Sequence, residues 1–191
     1  MTNDLVEIRW HGRGGQGAVT SAELLAQAAI SEGKYGQAFP SFGPERRGAP
    51  VMAFVRIAKK EPIRVRAEIT QPDVVVVLDP GLLSIANVAA GLKKNGIAVI
   101  NTKKTAEQIR QEFGINASLA TVDATRIARE LLGVPITNTT MVGAVIKATG
   151  IVNTESLIEP LKNRFGRLAE RNVNAMKRAY EETVIKELRV G

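Results

Sequence analysis

Hydrophobic and polar positions along this chain follow two rhythms, and their order predicts an alternation of strands and helices. Residues 5–10 alternate in polarity, the period of a strand, and run into His11-Gly12-Arg13-Gly14-Gly15-Gln16-Gly17. Residues 20–31 then place Ala22, Leu25, Ala26 and Ala29 at helical spacing, with Gly33 as the stop. The chain therefore opens strand, glycine-rich turn, helix.

The next stretch differs. Residues 39–50 are rich in breakers, and each proline there pushes its predecessor out of the helical region. Residues 51–57 and 63–69 read as strands, paired across Lys59-Lys60-Glu61-Pro62. The strand–helix rhythm then returns. Val74-Val75-Val76-Val77-Leu78 is a continuous β-branched run, the mark of a strand buried on both faces. It ends at Asp79-Pro80, and a helix is expected from there to about Lys94. Residues 97–100 repeat the pattern and end at Asn101. Residues 119–122 do so again and end at Asp123, before a helical stripe of Ile127, Ala128, Leu131 and Leu132 closed by Gly133. In an open parallel sheet the small polar residues Asp79, Asn101 and Asp123 lie on the ligand-binding edge. The remainder reads as helical, with one stripe of Leu157, Ile158, Leu161 and Phe165, a second of Val173, Met176, Tyr180 and Val184, and Gly166 between them. The pattern predicts a single α/β domain over residues 1–191, with a doubly wound, mostly parallel, Rossmann-like sheet. A β insertion occupies about residues 36–68, and a helical C-terminal arm about residues 151–191.

Composition removes several chemistries from this frame. The chain has no cysteine, so it offers neither a thiol nucleophile nor thiolate ligands for an iron–sulfur cluster. Its one histidine, His11, does not make a zinc site without several carboxylate helpers. The net charge is +7, yet basic and acidic residues are interspersed and aromatics make up only 4%, which argues against a nucleic-acid platform. No basic segment followed by an apolar stretch opens the chain, and no apolar run reaches the roughly 18 residues of a membrane span, so the expected location is cytoplasmic, away from membranes.

Gly12, Gly14 and Gly17 satisfy the dinucleotide-binding fingerprint, between a strand and a helix as that motif requires. A nicotinamide cofactor also needs an acid about 20 positions on, at the end of the second strand, for the ribose. Lys34-Tyr35-Gly36-Gln37-Ala38-Phe39-Pro40 ends without one, and Glu32 reads as a helix-end residue. Three readings of the turn stay open: a sharp strand-to-helix turn, a contact to phosphate or a partner backbone, and a stand-alone NAD(P)-binding reductase.

Three segments in order resemble one family. The turn His11-Gly12-Arg13-Gly14-Gly15-Gln16-Gly17 is similar to a signature of the gamma subunits of 2-oxoacid:ferredoxin oxidoreductases. The segment Gln37-Ala38-Phe39-Pro40-Ser41-Phe42-Gly43-Pro44-Glu45-Arg46-Arg47-Gly48-Ala49-Pro50 resembles their second signature, in its pyruvate and branched-chain form. Asn138-Thr139-Thr140-Met141-Val142-Gly143-Ala144 is similar to a third. The resemblance implies a non-catalytic gamma subunit of a pyruvate:ferredoxin oxidoreductase, which converts pyruvate and CoA to acetyl-CoA and CO2 while reducing ferredoxin. It implies partners of alpha, beta and delta type, with thiamine diphosphate, Mg2+ and iron–sulfur clusters carried by those partners. This chain would shape the CoA side of the site. No glycine-aspartate-glycine motif for the magnesium of thiamine diphosphate stands here, in keeping with that division.

The candidate cofactor or subunit contacts are Gly12, Arg13, Gly14, Gly15, Gln16, Gly17, Arg46 and Arg47. Arginine forks grip phosphate or carboxylate bidentately, and the same three arginines can equally be solvated or paired with Glu45. Gln16 either meets a ligand or braces the turn. Phe39 and Phe42 read as core anchors of the loop. Asn138 or Thr139 reads most simply as an N-cap, with partner contact as the alternative, and His11 has no nucleophile or metal company for acid–base work.

Overall fold

The computed structural model describes residues 4–41 and 48–188. Among these residues, seven strands form one sheet: β1 (Leu5–Arg13), β2 (Tyr35–Pro40), β3 (Pro50–Ala58), β4 (Val74–Val77), β5 (Ile97–Asn101), β6 (Ser118–Val122) and β7 (Val184–Lys186). Their order is β2-β3-β1-β4-β5-β6-β7. Strands β1, β4, β5 and β6 are parallel, whereas β3 runs antiparallel to β1, β2 to β3, and β7 to β6. The architecture is the expected α/β one. The β insertion is the β2–β3 hairpin, which joins the main sheet instead of standing apart from it.

The alternation in β1 decides which layer covers each face. Val6, Ile8 and Trp10 join Ala22, Leu25 and Ala29 of α1 (Ala18–Ser31) in the larger core, together with residues of α3 (Ala124–Leu132), α4 (Asn138–Thr149), α5 (Ile158–Phe165) and α6 (Ala169–Glu182). The helical arm packs back onto that layer. Gly143 of α4 permits this, because a Cβ there would stand 2.0 Å from the Met176 carbonyl oxygen of α6. On the opposite face Val75 and Val77 of β4 pack with Ala98, Ile100 and Ile109, the last from α2 (Ala106–Phe113).

Under β1 and β3, that second face is mixed, with polar residues beside the buried apolar cluster of Phe39, Phe54 and Ile69. It carries Glu7, Arg9, His11 and Arg56, and Arg9, His11 and Arg56 are buried. Arg9 donates through Nη1 to the Ile69 carbonyl at 3.3 Å and through Nη2 to those of Val88 and Ala90 at 3.1 and 2.5 Å. Arg56 donates through Nη1 to the Val65 carbonyl at 3.2 Å and through Nη2 to that of Ala67 at 2.8 Å, and its Nε pairs with Glu7 at 2.9 Å.

These bonds explain two departures from the predicted elements. The strand expected at 63–69 does not form, because its carbonyls meet guanidinium groups and not a neighbouring ladder. The helix expected from Asp79-Pro80 to about Lys94 shrinks to a 3-10 turn at Pro80–Ser84, since helical backbone would withdraw the Val88 and Ala90 carbonyls from Arg9. A third departure lies at the end. Val184, expected on a helical stripe, starts β7, because Thr183 turns extended (φ −69°, ψ 122°) and lets the chain pair with β6.

Phe39 is buried and meets Phe54 with ring centroids 5.3 Å apart, under the Arg56 guanidinium at 5.6 Å. Arg56→Met should therefore cost about 3–4 kcal/mol, because two loop carbonyls and Glu7 lose a charged donor. Urea unfolding measures the loss, and hydrogen exchange should quicken first across residues 63–69. A change below about 0.5 kcal/mol would remove Arg56 from this role.

Candidate functional site

The glycine-rich segment lies where β1 leaves the sheet and α1 begins. Gly12 is still in β1, and Gly14 extends the pairing, donating to the Ala49 carbonyl at 2.9 Å and accepting from Gly48 at 3.2 Å. The turn proper is Gly15–Gly17. Gly15 and Gly17 have φ of +92° and +80°, the left-handed region that a side chain resists. Gly17 has a second reason to be bare, because a Cβ there would stand 2.6 Å from Asn138 Nδ2.

Asp79, the acid that ends β4, braces this turn. Its Oδ2 accepts from Arg13 Nε and from Gln16 Nε2, both at 2.9 Å, while Oδ1 accepts from the Gly81 amide at 2.8 Å. Gln16 closes the other side, its Oε1 accepting from the Arg13 amide at 2.8 Å. Both ends of Gln16 are spent within the protein, so it is a brace. Arg13 also donates through Nη1 to the Gly48 carbonyl at 3.2 Å, tying the turn to the far side of the breaker-rich loop. Arg46, Arg47 and Phe42 lie outside the described residues.

Asn101 and Asp123, the other strand-end residues, face inward too. Asn101 donates to the Leu78 carbonyl and Thr125 Oγ1 and accepts from the Thr125 amide. Asp123 caps α3 through the Arg126 amide at 3.0 Å. The edge predicted to meet ligand is thus internally bonded along most of its length.

His11 is buried beside Arg9, whose Nε donates to its Nε2 at 3.0 Å. Burial, and then the guanidinium, push its pKa down to about 4. It stays neutral near pH 7, an acceptor for Arg9. Glu32 is the C-cap of α1. It accepts from Lys34 Nζ, Ser156 Oγ and the Asn153 amide, each at 2.6 Å, and burial that would raise its pKa is outweighed by these donors, which lower it. It is unavailable to a ribose.

The N-cap of α4 is Thr137 and not Asn138 or Thr139. Asn138 is the first helical residue, and its Oδ1 accepts from the Thr139 amide at 2.8 Å. Sequence reading singled out the glycines and Arg13 but missed Asp79 as their brace and Asn138 as their neighbour. The only signal for Asp79 was its place at a strand end on the same sheet edge.

This geometry defines a class: a Rossmann-like α/β chain whose fingerprint turn is locked by its own side chains. Among the described residues no cluster of His, Asp or Glu could hold a metal, and no helix is long and apolar enough to cross a membrane. The chain belongs to the pyruvate ferredoxin/flavodoxin oxidoreductase family, whose model matches residues 7–182. It is 58% identical over 186 residues to the pyruvate/ketoisovalerate oxidoreductases common subunit gamma of Thermococcus litoralis, covering 96% of this chain and 100% of that one. Against pyruvate synthase subunit PorC of Methanothermobacter marburgensis the identity is 53% over 179 residues, covering 93% and 97%. The crystal structure of pyruvate oxidoreductase subunit PORC from Thermotoga maritima superposes with a TM-score of 0.87 at 41% identity, covering 97% of this chain and all of that one.

Two measurements check the site's physics. Between pH 6.5 and 4 the unfolded chain protonates histidine while folded His11 stays neutral, so stability should fall with pH by up to about 3 kcal/mol. Urea titrations of wild type and His11→Gln should diverge over that window; parallel profiles would refute the assignment. A double-mutant cycle between Asp79→Ala and Arg13→Ala should give about 0.5–1 kcal/mol of coupling, modest because the pair is partly solvated. Strict additivity would mean that Asp79 does not hold Arg13.

Proposed function

We propose that this chain is the gamma subunit of a pyruvate:ferredoxin oxidoreductase and contributes structure, not reacting groups, to the conversion of pyruvate and CoA to acetyl-CoA and CO2. The observation that carries this is the match over nearly its whole length to separately encoded gamma subunits, in a chain that lacks cysteine and whose one histidine is held neutral. Its partners are the alpha, beta and delta subunits, and ferredoxin is reached through the complex. Thiamine diphosphate, Mg2+ and iron–sulfur clusters belong to those partners, where they supply decarboxylation and electron transfer.

Toward CoA this chain offers donors. Arg13 stands at the mouth of the turn with its Nη2 free of the bonds to Asp79 and Gly48. Gly15 has open space around its α-carbon, so a ligand or a partner backbone can approach closely. Arg46 and Arg47, which precede Gly48 in the sequence, are the further basic candidates of this reading. A stand-alone nicotinamide reductase is disfavoured, because one neighbour of β1, β3, is antiparallel with Pro50 opposite Arg13, and the acid after its parallel neighbour β4, Asp79, is engaged by Arg13, Gln16 and Gly81.

The isolated chain should neither decarboxylate pyruvate nor reduce a viologen dye, while the purified complex containing it does both. Replacing Arg46 and Arg47 by alanine in that complex should raise the Michaelis constant for CoA several-fold with kcat within about twofold. Turnover by the chain alone would overturn the non-catalytic assignment. An unchanged constant with weakened assembly would reassign the arginines to subunit contacts.

A further inference from the structure

Gly133-Val134-Pro135-Ile136 joins α3 to α4, and all four residues are exposed. Exposed connections elsewhere are charged, as at Lys59-Lys60-Glu61 and Lys103-Lys104. Here three consecutive apolar residues meet water, Val134 with 44% and Ile136 with 46% of its surface. The segment is also held in place. Gly133 closes α3 in the left-handed region at φ +77°, Pro135 keeps Val134 extended, and Thr137, the N-cap of α4, is buried. Rigid apolar side chains on a loop are poor for a free surface and well suited to a contact.

A second element brings another apolar group to the same place. Helices α4 and α6 run side by side: Thr139 Oγ1 donates to Asn172 Oδ1 at 2.7 Å, and one turn on, Gly143 meets the Met176 carbonyl. One turn back, the same register sets Ile136 beside Leu168, which is 48% exposed and whose carbonyl accepts from Asn172 Nδ2 at 2.9 Å. The patch reaches the glycine turn, because Asn138 fills the space that a Gly17 Cβ would need. Its charges carry one sign. Arg167 and Arg171 are exposed and have no ion pair or hydrogen bond among the described residues. Of the nearby acids, Glu23 is paired with Arg164 at 3.8 Å, and Glu170, two residues after Leu168, lies on the other side of α6.

We propose that Val134, Ile136 and Leu168 are the apolar anchor of a docking surface for a different subunit of the oxidoreductase, one presenting an apolar face rimmed by carboxylates. A few rigid apolar anchors inside a polar rim carry most of the binding free energy of an interface. The charges decide against a second copy of this chain as the occupant, because a two-fold contact would set Arg167 and Arg171 against their own equivalents. An acidic rim on the partner neutralises both and speeds encounter. The proposal rests on the gamma-subunit reading and adds to it the face by which the chain is held. Docking on this edge sets the neighbouring glycine turn against the partner.

The test uses the whole complex, purified through a tag on another subunit. Ile136→Asp combined with Leu168→Asp should leave the chain folded, with Tm within about 4 °C of wild type because both sites are exposed. Its recovery in the complex should fall at least about tenfold. Arg167→Glu with Arg171→Glu should lower recovery at low salt, and association of the wild-type chain should slow as salt rises. Ile30→Asp, 55% exposed near the far end of α1, should assemble as wild type does. A benzophenone-bearing residue in place of Leu168 should photocrosslink to a different subunit. Crosslinks between two copies of this chain, or undiminished assembly of the folded double variant, would overturn the proposal and leave the gamma-subunit reading standing. A wild-type chain that co-purifies with no other subunit overturns both.

Discussion

Arg9 and Arg56 project from β1 and β3 into the part of the second face that, among the described residues, is covered by loop segments beyond the reach of α2. Two buried guanidinium groups there would be untenable without acceptors, and they take backbone carbonyls from residues 65–69 and 88–90. The exchange is mutual. Segments with no ladder or helix of their own have their carbonyls satisfied, and the charges are delocalised over fixed dipoles. That lets this part of the sheet bury Arg9 and Arg56 beside the apolar cluster of Phe39, Phe54 and Ile69. It also fixes the register of β1 by polar as well as apolar contacts, since Val6, Ile8 and Trp10 are gripped from the helical side.

A strand clamped on both faces delivers its last residues to a defined place. Arg9 continues the chain of contacts to His11, and the next outward residue on that face, Arg13, meets Asp79. One polar line thus runs from the loop carbonyls through β1 to the glycine turn. A neutral His11 is needed in it, because a protonated ring would face the Arg9 guanidinium. The turn is consequently a rigid feature whose conformation does not wait for a ligand. That suits a subunit that presents a surface to catalytic neighbours.

The sequence was most legible where one residue's neighbours in space are its neighbours in pattern. The valine run of β4, the β6–α3 unit with its Asp123 cap and Gly133 stop, and α1 could all be read from period and punctuation. It was least legible where a distant side chain competes for backbone. Nothing local in residues 63–69 or 85–94 announces that Arg56 and Arg9 will claim their carbonyls, so propensity suggested a strand and a helix. At the site, glycine spacing identified the turn, but the bracing role of Asp79 depends on β4 lying beside β1. The position of Asn138 against Gly17 depends on how α4 packs on α1.

The dinucleotide fingerprint is instructive here because its local physics is intact while its surroundings differ. Gly12, Gly14 and Gly17 carry the chain from strand to helix as they would in a nicotinamide enzyme. Specificity for such a cofactor, however, comes from the next strand, which must run parallel to β1 and end in an acid beside the turn. In this fold that position is taken by β3, which runs the other way and starts at Pro50 opposite Arg13. Reversing one strand brings a loop entrance, and not an acidic strand end, next to the glycine turn. The edge that would hold a ribose therefore holds the Gly48–Ala49 backbone, paired to Gly14. The acid that does stand beside the turn, Asp79 at the end of β4, is engaged by Arg13, Gln16 and the Gly81 amide.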